Sequence, residues 1–514
     1  MKKVLFFGIS LIIFGVASVA LATMTTFGID QVVSALPGWQ FIQHDSLAVG
    51  PDKSVYVVYD NEEIEPLKFL FAKQTAGVGP FTSYVLDPAG DGAKNEAIDI
   101  NKQGTLVASW VRGNNFETQV HFAYSTNGGD SFSNPAAVST VGYNMFPEAD
   151  MGKSGSAYIV WKNFDTYLNG KLYFSKTNNG QTFSTPKVID GDMAGNIVER
   201  YQGTTVHMDV LEGTDTRNDI IGVCWQGFLD DYNTEYAWAA VSTDGGQTFT
   251  QPIMADPAQI TSFQYSPGCT VDENYLYLSF DFDGDIYFTR MKHGNTSFEP
   301  IRIVSTEEAV AQTVTIDSAR PAYIYMAWDD NRNTSGFASE GYFMRSFDGG
   351  ETWTDETNFE DDNPGYSPDV SYSFVQMAND KSAHVSFSND LFAGTGRDIF
   401  YDTATVPFQA FATANTPVVH RNEYATFKLT VKNYEEITKQ FDYWLEAYLP
   451  NGSSYGGNPI SPSSTTIGPN GSLSANKSVL VPGTAPFGTY RMCFKVGTYP
   501  DAEDGECAYF DVVQ

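Results

Sequence analysis

Along most of this chain, apolar and polar side chains alternate in short runs separated by Gly, Asn, Asp, Ser and Pro, the pattern of half-buried β-strands joined by turns. No long segment carries apolar residues at the helical spacing, so an all-β protein is expected. The runs fall into a unit that recurs about every 50 residues, the period of propeller blades. In the third unit its parts are Glu148-Ala-Asp150, Ala157-Tyr-Ile-Val-Trp161, Lys171-Leu-Tyr-Phe174 and Pro186-Lys-Val-Ile189. Second strands of the same kind lie at 55–59, 106–110, 158–161, 220–225, 275–280, 323–328 and 383–387, which makes seven units. The seventh lacks a fourth strand, and a closed ring needs one because an open sheet edge invites pairing. The segment Trp39-Gln-Phe41 is expected to supply it; six blades with an extra sheet is the alternative. Past 407–416 the pattern changes to alternating strands between Pro/Gly/Asn/Ser-rich loops, the signature of an Ig-like β-sandwich. The expected division is therefore a leader at 1–22, a propeller at 39–406 and a sandwich at 410–514.

A polar turn punctuates the units between their third and fourth strands. It reads Ser125-Thr-Asn127-Gly128-Gly129-Asp-Ser-Phe132, Thr177-Asn178-Asn179-Gly180-Gln-Thr-Phe183, Ser242-Thr-Asp244-Gly245-Gly246-Gln-Thr-Phe249 and Ser346-Phe-Asp348-Gly349-Gly350-Glu-Thr-Trp353. In such a turn an Asp or Asn accepts nearby backbone N–H groups, Gly supplies positive φ, and the aromatic plugs the base. Asn127, Asn178, Asp244 and Asp348 are read as the acceptors, Gly129, Gly180, Gly246 and Gly350 as the hinges, and Phe132, Phe183, Phe249 and Trp353 as the plugs. One local chemistry repeated on several units is scaffold.

These turns resemble the Asp-box, or BNR repeat, S-x-D-x-G-x-x-W/F, and residues 40–405 are similar to sialidase-superfamily propellers. The resemblance implies a box on the face away from the active site, and an active site holding an arginine triad, a Tyr/Glu pair and an Asp. The Arg-Ile-Pro signature of sialidases is absent, the first arginine is Arg112, and Arg290 and Arg345 sit in third strands that lead to the box face.

Composition narrows the partners. With 62 acidic and 30 basic side chains the formal charge is −32, which repels nucleic acid and anionic membrane surfaces. Cations, hydroxyl-rich glycans or cell-surface proteins are the partners expected, for a protein acting as a monomer. Met1-Lys2-Lys3, an apolar run over 4–22 and Ala20-Leu21-Ala22 form a signal peptide, whose alternative is an uncleaved anchor that would keep the chain at a membrane. Four cysteines suit export. Cys493 and Cys507 lie symmetrically about Pro500 in a hairpin and are expected to bridge; Cys224 and Cys269 either bridge or remain buried thiols.

Aligned on the turns, Asp45, Glu96, Glu148 and Asp369 take one position at the start of the innermost strand in units one, two, three and seven. Gly268 and Thr313 take it in units five and six, and Glu199 or His207 in unit four. Three readings stand. Each carboxylate accepts backbone N–H groups; or Asp45, Glu96, Glu148 and Asp369 hold a hard cation such as Ca²⁺; or Glu96, Glu148 and Asp369 act as acid, base or nucleophile on a glycoside. Asp60, Arg112, Asp165, Asp230, Asp231, Asp329, Asp330 and Asp390, near the loops between second and third strands, are candidate ligand-binding residues on the same face. No organic cofactor motif is present. The function expected is an exported glycan- or protein-binding propeller; the alternatives are a sialidase-like glycosidase and a structural cell-envelope protein.

Overall fold

The computed structural model describes residues 26–514 except 35–37, 43–44, 62–67, 89–93, 115, 167–168, 192–196, 199–205, 215–216, 230–234, 256–264, 283, 306–313, 333–338, 361–365 and 392–395. The signal segment 1–22 lies outside the described residues. Among those described the chain is all-β, without an α-helix, and is built from many small antiparallel sheets, consistent with a β-propeller.

Seven of these sheets, each of four or five strands, are built from residues 26–405. Their innermost strands, in chain order, are Leu47–Val49, Lys94–Ile100, Tyr143–Met151, Val206–Leu211, Tyr265–Val271, Val314–Arg320 and Tyr366–Met377. Each contacts the next, and the last returns to the first, so the sheets form a ring. Each neighbouring pair of sheets encloses its own apolar core, including the seventh and first, where Val33, Leu47, Val57, Phe374 and Tyr401 meet. Burial therefore lies between sheets, and strand alternation decides which neighbour each side chain meets.

The N-terminal segment closes the seventh sheet, but Trp39-Gln-Phe41 is not the strand that does so. Thr26–Phe27 and Gln31–Ser34 pair with Arg397–Thr405, while Gln40–Phe41 adds to the second strand of sheet one. The apolar anchors decide this: Phe27 packs edge-on against Phe343 at 5.2 Å between ring centroids, and Val33 enters the core between sheets seven and one.

The repeated turns are clamps between sheets. Phe132, Phe183, Phe249 and Trp353 meet Phe71, Phe122, Phe174 and Phe288 of the preceding sheet edge-on, with centroids 4.9–5.2 Å apart. Gly246 and Gly350 have φ of +70° and +83°, and a Cβ there would come within 2.4 and 2.1 Å of Phe174 and Phe288. In the sheet-three turn the acceptor is Asn179 rather than Asn178: Asn179 Oδ1 takes the Thr177 hydroxyl at 3.0 Å and two backbone N–H groups. That turn is one residue shorter, so counting from its glycine misplaces the side chain that stands two residues after the hydroxyl.

Residues from Phe408 onward form a three-stranded and a five-stranded sheet around a separate core containing Phe427, Phe441, Phe494 and Phe510. Cys493 and Cys507 are directly opposed on neighbouring strands and bonded. Cys224 and Cys269 are buried free thiols, so no second bridge forms. Asp504, fully buried, ties this unit to sheets six and seven. It accepts the Tyr323 hydroxyl at 2.6 Å and lies 3.1 Å from Lys381 Nζ. Lys495 Nζ lies 3.0 Å from Asp348 Oδ2, in the turn of sheet six.

Candidate functional site

The inner strands line an axial channel, and the apolar-Asp pairs Ile98-Asp99, Ala149-Asp150, Met208-Asp209 and Ile316-Asp317 all reach it. The four carboxylates form a belt that divides the channel into two chambers of about 70 and 140 Å³; both are lined by Asp99, Asp150, Asp209, Asp317 and Gln376. Three of them stitch one inner strand to the next. Asp99 Oδ2 accepts Met151 N–H at 2.8 Å, Asp209 Oδ2 accepts Val271 N–H at 2.7 Å and the Thr270 hydroxyl at 2.6 Å, and Asp317 Oδ2 accepts Met377 N–H at 2.5 Å. Inner strands of neighbouring sheets share no backbone ladder, so these side chains supply the cross-link.

Burial and crowding of like charges raise the carboxyls of Asp150, Asp209 and Asp317. Burial, then the Asp99 charge, pushes the Asp150 carboxyl well up. Burial raises Asp209 to about 6 against the hydrogen bonds from Thr270 and Val271, and burial followed by the Asp209 charge raises Asp317 to about 8. At neutral pH the Asp317 carboxyl therefore favours its protonated form.

Toward the end where the inner strands begin, Asp45, Glu148 and His207 converge from sheets one, three and four, with one potential ligand atom from each within 4.8 Å of the others. His207 Nδ1 is 3.7 Å from Asp45 Oδ1. Glu148 and His207 are buried, whereas the Asp45 side chain is 41% exposed. Burial, then the Asp45 charge, pushes the Glu148 carboxyl well above the usual range. One imidazole and two carboxylates from separate strands suit a divalent cation with mixed N/O preference, Mn²⁺ or Zn²⁺, better than the all-oxygen shell of Ca²⁺.

The candidates read from the sequence are dispersed. Asp45 and Glu148 come together with His207; Glu96 is buried in the inner strand of sheet two and is not part of that trio, and the Asp369 side chain and Glu199 lie outside the described residues. Bulges between Lys94 and Ala97, and between Met145 and Glu148, break the alternation at the starts of these strands. The belt lies two to four residues further on. Its signal, an apolar-Asp pair recurring within the first strand in four units, was present in the sequence.

Of the loop candidates, Arg112 is held by Asp87 through Nη2–Oδ1 at 2.6 Å, and Asp390 by Arg397 Nε at 2.5 Å. Asp330 accepts Trp328 Nε1 and pairs with Arg332; Asp60 and Asp329 are buried. The side chains of Asp165, Asp230 and Asp231 lie outside the described residues.

No family model matches the chain, and no curated protein matches it. Solved structures do. A PL25 ulvan lyase matches at 12% identity over 72% of this chain and 96% of its own, with a TM-score of 0.47. The GH93 α-L-arabinofuranosidase of Fusarium graminearum matches at 11% over 74% and 98%, with a TM-score of 0.43. The NanB sialidase of Streptococcus pneumoniae matches at 8% over 69% and 83%, with a TM-score of 0.41.

Proposed function

We propose that this is an exported, non-hydrolytic binding protein: a seven-bladed Asp-box propeller with a C-terminal Ig-like module, whose axial trio holds a divalent cation beneath a surface for a hydroxyl-rich glycan. The observation that carries this reading is the channel itself. The chamber lined by Asp45 and His207, about 70 Å³, has room for about two waters at roughly 30 Å³ each. Its carboxylate lining suits a hydrated ion, and three of the four belt carboxylates cross-link the sheets.

The cation would replace the proton held between Glu148 and Asp45. Calorimetric titration of the full chain with MnCl₂, ZnCl₂ and CaCl₂ in buffers of different ionisation enthalpy tests this. Binding of Mn²⁺ or Zn²⁺ with proton release is expected, weakened at least about tenfold by Asp45→Asn or His207→Gln, about 1.4 kcal/mol. Heat independent of both substitutions overturns the assignment.

A second reading, a glycosidase, is favoured by the Glu148 carboxyl, pushed up by burial and then by Asp45 beside it, the kind of carboxyl pair in which environment sets one apart as an acid. A glycan-array screen with parallel release assays separates the two. Release abolished by Glu148→Gln replaces the binding reading with the enzymatic one; retention on the array without release from any glycoside supports binding.

A further inference from the structure

The edge strands of the C-terminal unit, Ile460–Ile467 in one sheet and Ser472–Leu480 in the other, are each paired on one side only. Near the start of the first and the end of the second lies an apolar cleft of about 490 Å³. Tyr490, Met492 and Phe510 of the five-stranded sheet line it together with Val479 of the three-stranded one. Protein interiors leave few voids larger than a water molecule, whereas small-molecule pockets span about 300–1,000 Å³. The cleft belongs with the second class. At its rim Leu480 and Tyr455 are 51% and 40% exposed, apolar surface that a hydrophobic ligand would cover.

The lining offers little backbone to a ligand. Pro459, Pro482 and Pro486 have no N–H to donate. Tyr455 N–H donates to Ala447 O and Val481 N–H to Glu423 O, both at 2.9 Å, and Ala485 N–H to Pro482 O at 3.0 Å. An extended peptide would gain few hydrogen bonds there, whereas an alkyl chain needs none. One cation stands beside the cleft. Arg421 Nε donates to Ala485 O at 2.7 Å, and its guanidinium lies over the Phe487 ring, 3.6 Å from the centroid. Burial raises the Tyr490 phenol, and the Arg421 charge opposes that rise, which places the guanidinium near a lining side chain. The Glu423 carboxylate, two residues away, accepts His420 N–H at 3.1 Å instead of pairing with Arg421. Among the described residues nothing holds the two terminal nitrogens of Arg421.

We infer that this cleft binds a free medium-chain fatty acid, with the alkyl chain between the two sheets and the carboxylate on the Arg421 guanidinium. Charge complementarity fixes which end carries the head group, because a guanidinium fork matches a carboxylate with two parallel hydrogen bonds. The net charge of −32 opposes an anion at long range, and screening over about 8 Å at physiological ionic strength confines that opposition. The C-terminal unit thus has a ligand of its own, independent of the axial trio.

Calorimetry on the full chain in about 0.15 M NaCl tests this with octanoate, decanoate, dodecanoate and decanol, each below its micelle concentration. A single site is expected, tightening at least about threefold per added methylene from octanoate to dodecanoate. Decanoate should bind at least about fivefold more tightly than decanol. Arg421→Gln should remove that preference while leaving decanol binding unchanged, which a collapsed cleft would not do. Leu480→Glu, at an exposed rim position where folding is not at stake, should weaken decanoate at least about fivefold. Lys428→Gln, exposed on a strand of the same unit, should change nothing. Absence of saturable decanoate binding, equal affinity for decanoate and decanol, or unchanged decanoate affinity in both Arg421→Gln and Leu480→Glu overturns the inference. So does displacement of decanoate by the peptide Val-Thr-Val-Thr-Val-Thr, which would make the cleft a strand-docking site. A concentration-dependent dimer in sedimentation that Leu480→Glu abolishes would give the cleft to a second copy and overturn it as well.

Discussion

The turns Ser242-Thr-Asp244-Gly245-Gly246 and Ser346-Phe-Asp348-Gly349-Gly350 have nearly the same sequence and the same internal bonding, yet they do different work. In both, the serine hydroxyl donates to the Asp and accepts the second glycine's N–H, and a threonine four residues after the Asp caps the carboxylate. Asp244 lies on a polar groove between sheets three and four. Asp348 is fully buried under the C-terminal unit, 3.0 Å from Lys495. Burial would raise the Asp348 carboxyl, but Lys495 and Thr352 outweigh it and hold it below the usual range. A local motif thus fixes its own shape, and the surface that lands on it sets its energetic weight.

The sharpest way to break this comparison is to remove the charge of Asp348. Asp348→Asn leaves Lys495 buried with only Glu446 as a carboxylate partner, and losing one side of a buried pair costs about 3–5 kcal/mol. Thermal unfolding should show the loss together with earlier release of the C-terminal unit in limited proteolysis.

Next come the glycines. Gly350→Ala and Gly246→Ala each force a Cβ into an aromatic ring at positive φ, and each should cost about 1–3 kcal/mol. If the clamp is local the two losses are equal in thermal unfolding; a much larger loss at Gly350 would show that the C-terminal contact dominates there as well.

A carboxylate without a cation behaves oppositely to Asp348. Asp317, raised to about 8 by burial and then by Asp209, binds its proton more tightly folded than unfolded, where its pKa is near 4. Its contribution is fully present below about pH 4 and is lost as pH rises through 8. The unfolding midpoint should therefore fall by at least about 3 °C between pH 5 and pH 8.5. Asp317→Asn should flatten that fall; an unchanged slope would mean that Asp317 is ionised in the folded state.

The smallest effect is expected from Asp244→Asn, within about 1 kcal/mol. The sheet-two and sheet-three turns already use an amide there, with Asn127 accepting the Ser125 hydroxyl at 2.8 Å and Asn179 that of Thr177 at 3.0 Å. A loss comparable to that of Asp348→Asn would erase the contrast.

The chain's alternation and its repeated turns made the all-β character, the many small antiparallel sheets and the opposition of Cys493 to Cys507 legible, because each depends on residues close in sequence or on strict period-two geometry. The turn acceptor in sheet three slipped by one residue, since a single deletion is invisible to a pattern anchored on the glycine. The axial chemistry was legible only in part. Glu148 and Asp45 carried a signal at the strand starts, but the belt lies further along the inner strands at Asp99, Asp150, Asp209 and Asp317, and only the closed ring brings His207 of sheet four to Asp45 of sheet one.

Tertiary structure alone decided that Thr26–Phe27 and Gln31–Ser34 complete the seventh sheet, that Asp348 meets Lys495 and that Lys153, Lys176 and Arg217 share one groove. Sequence determines the local hydrogen bonds and the period. Contacts between residues a hundred or more positions apart depend on which surfaces the closed ring brings together.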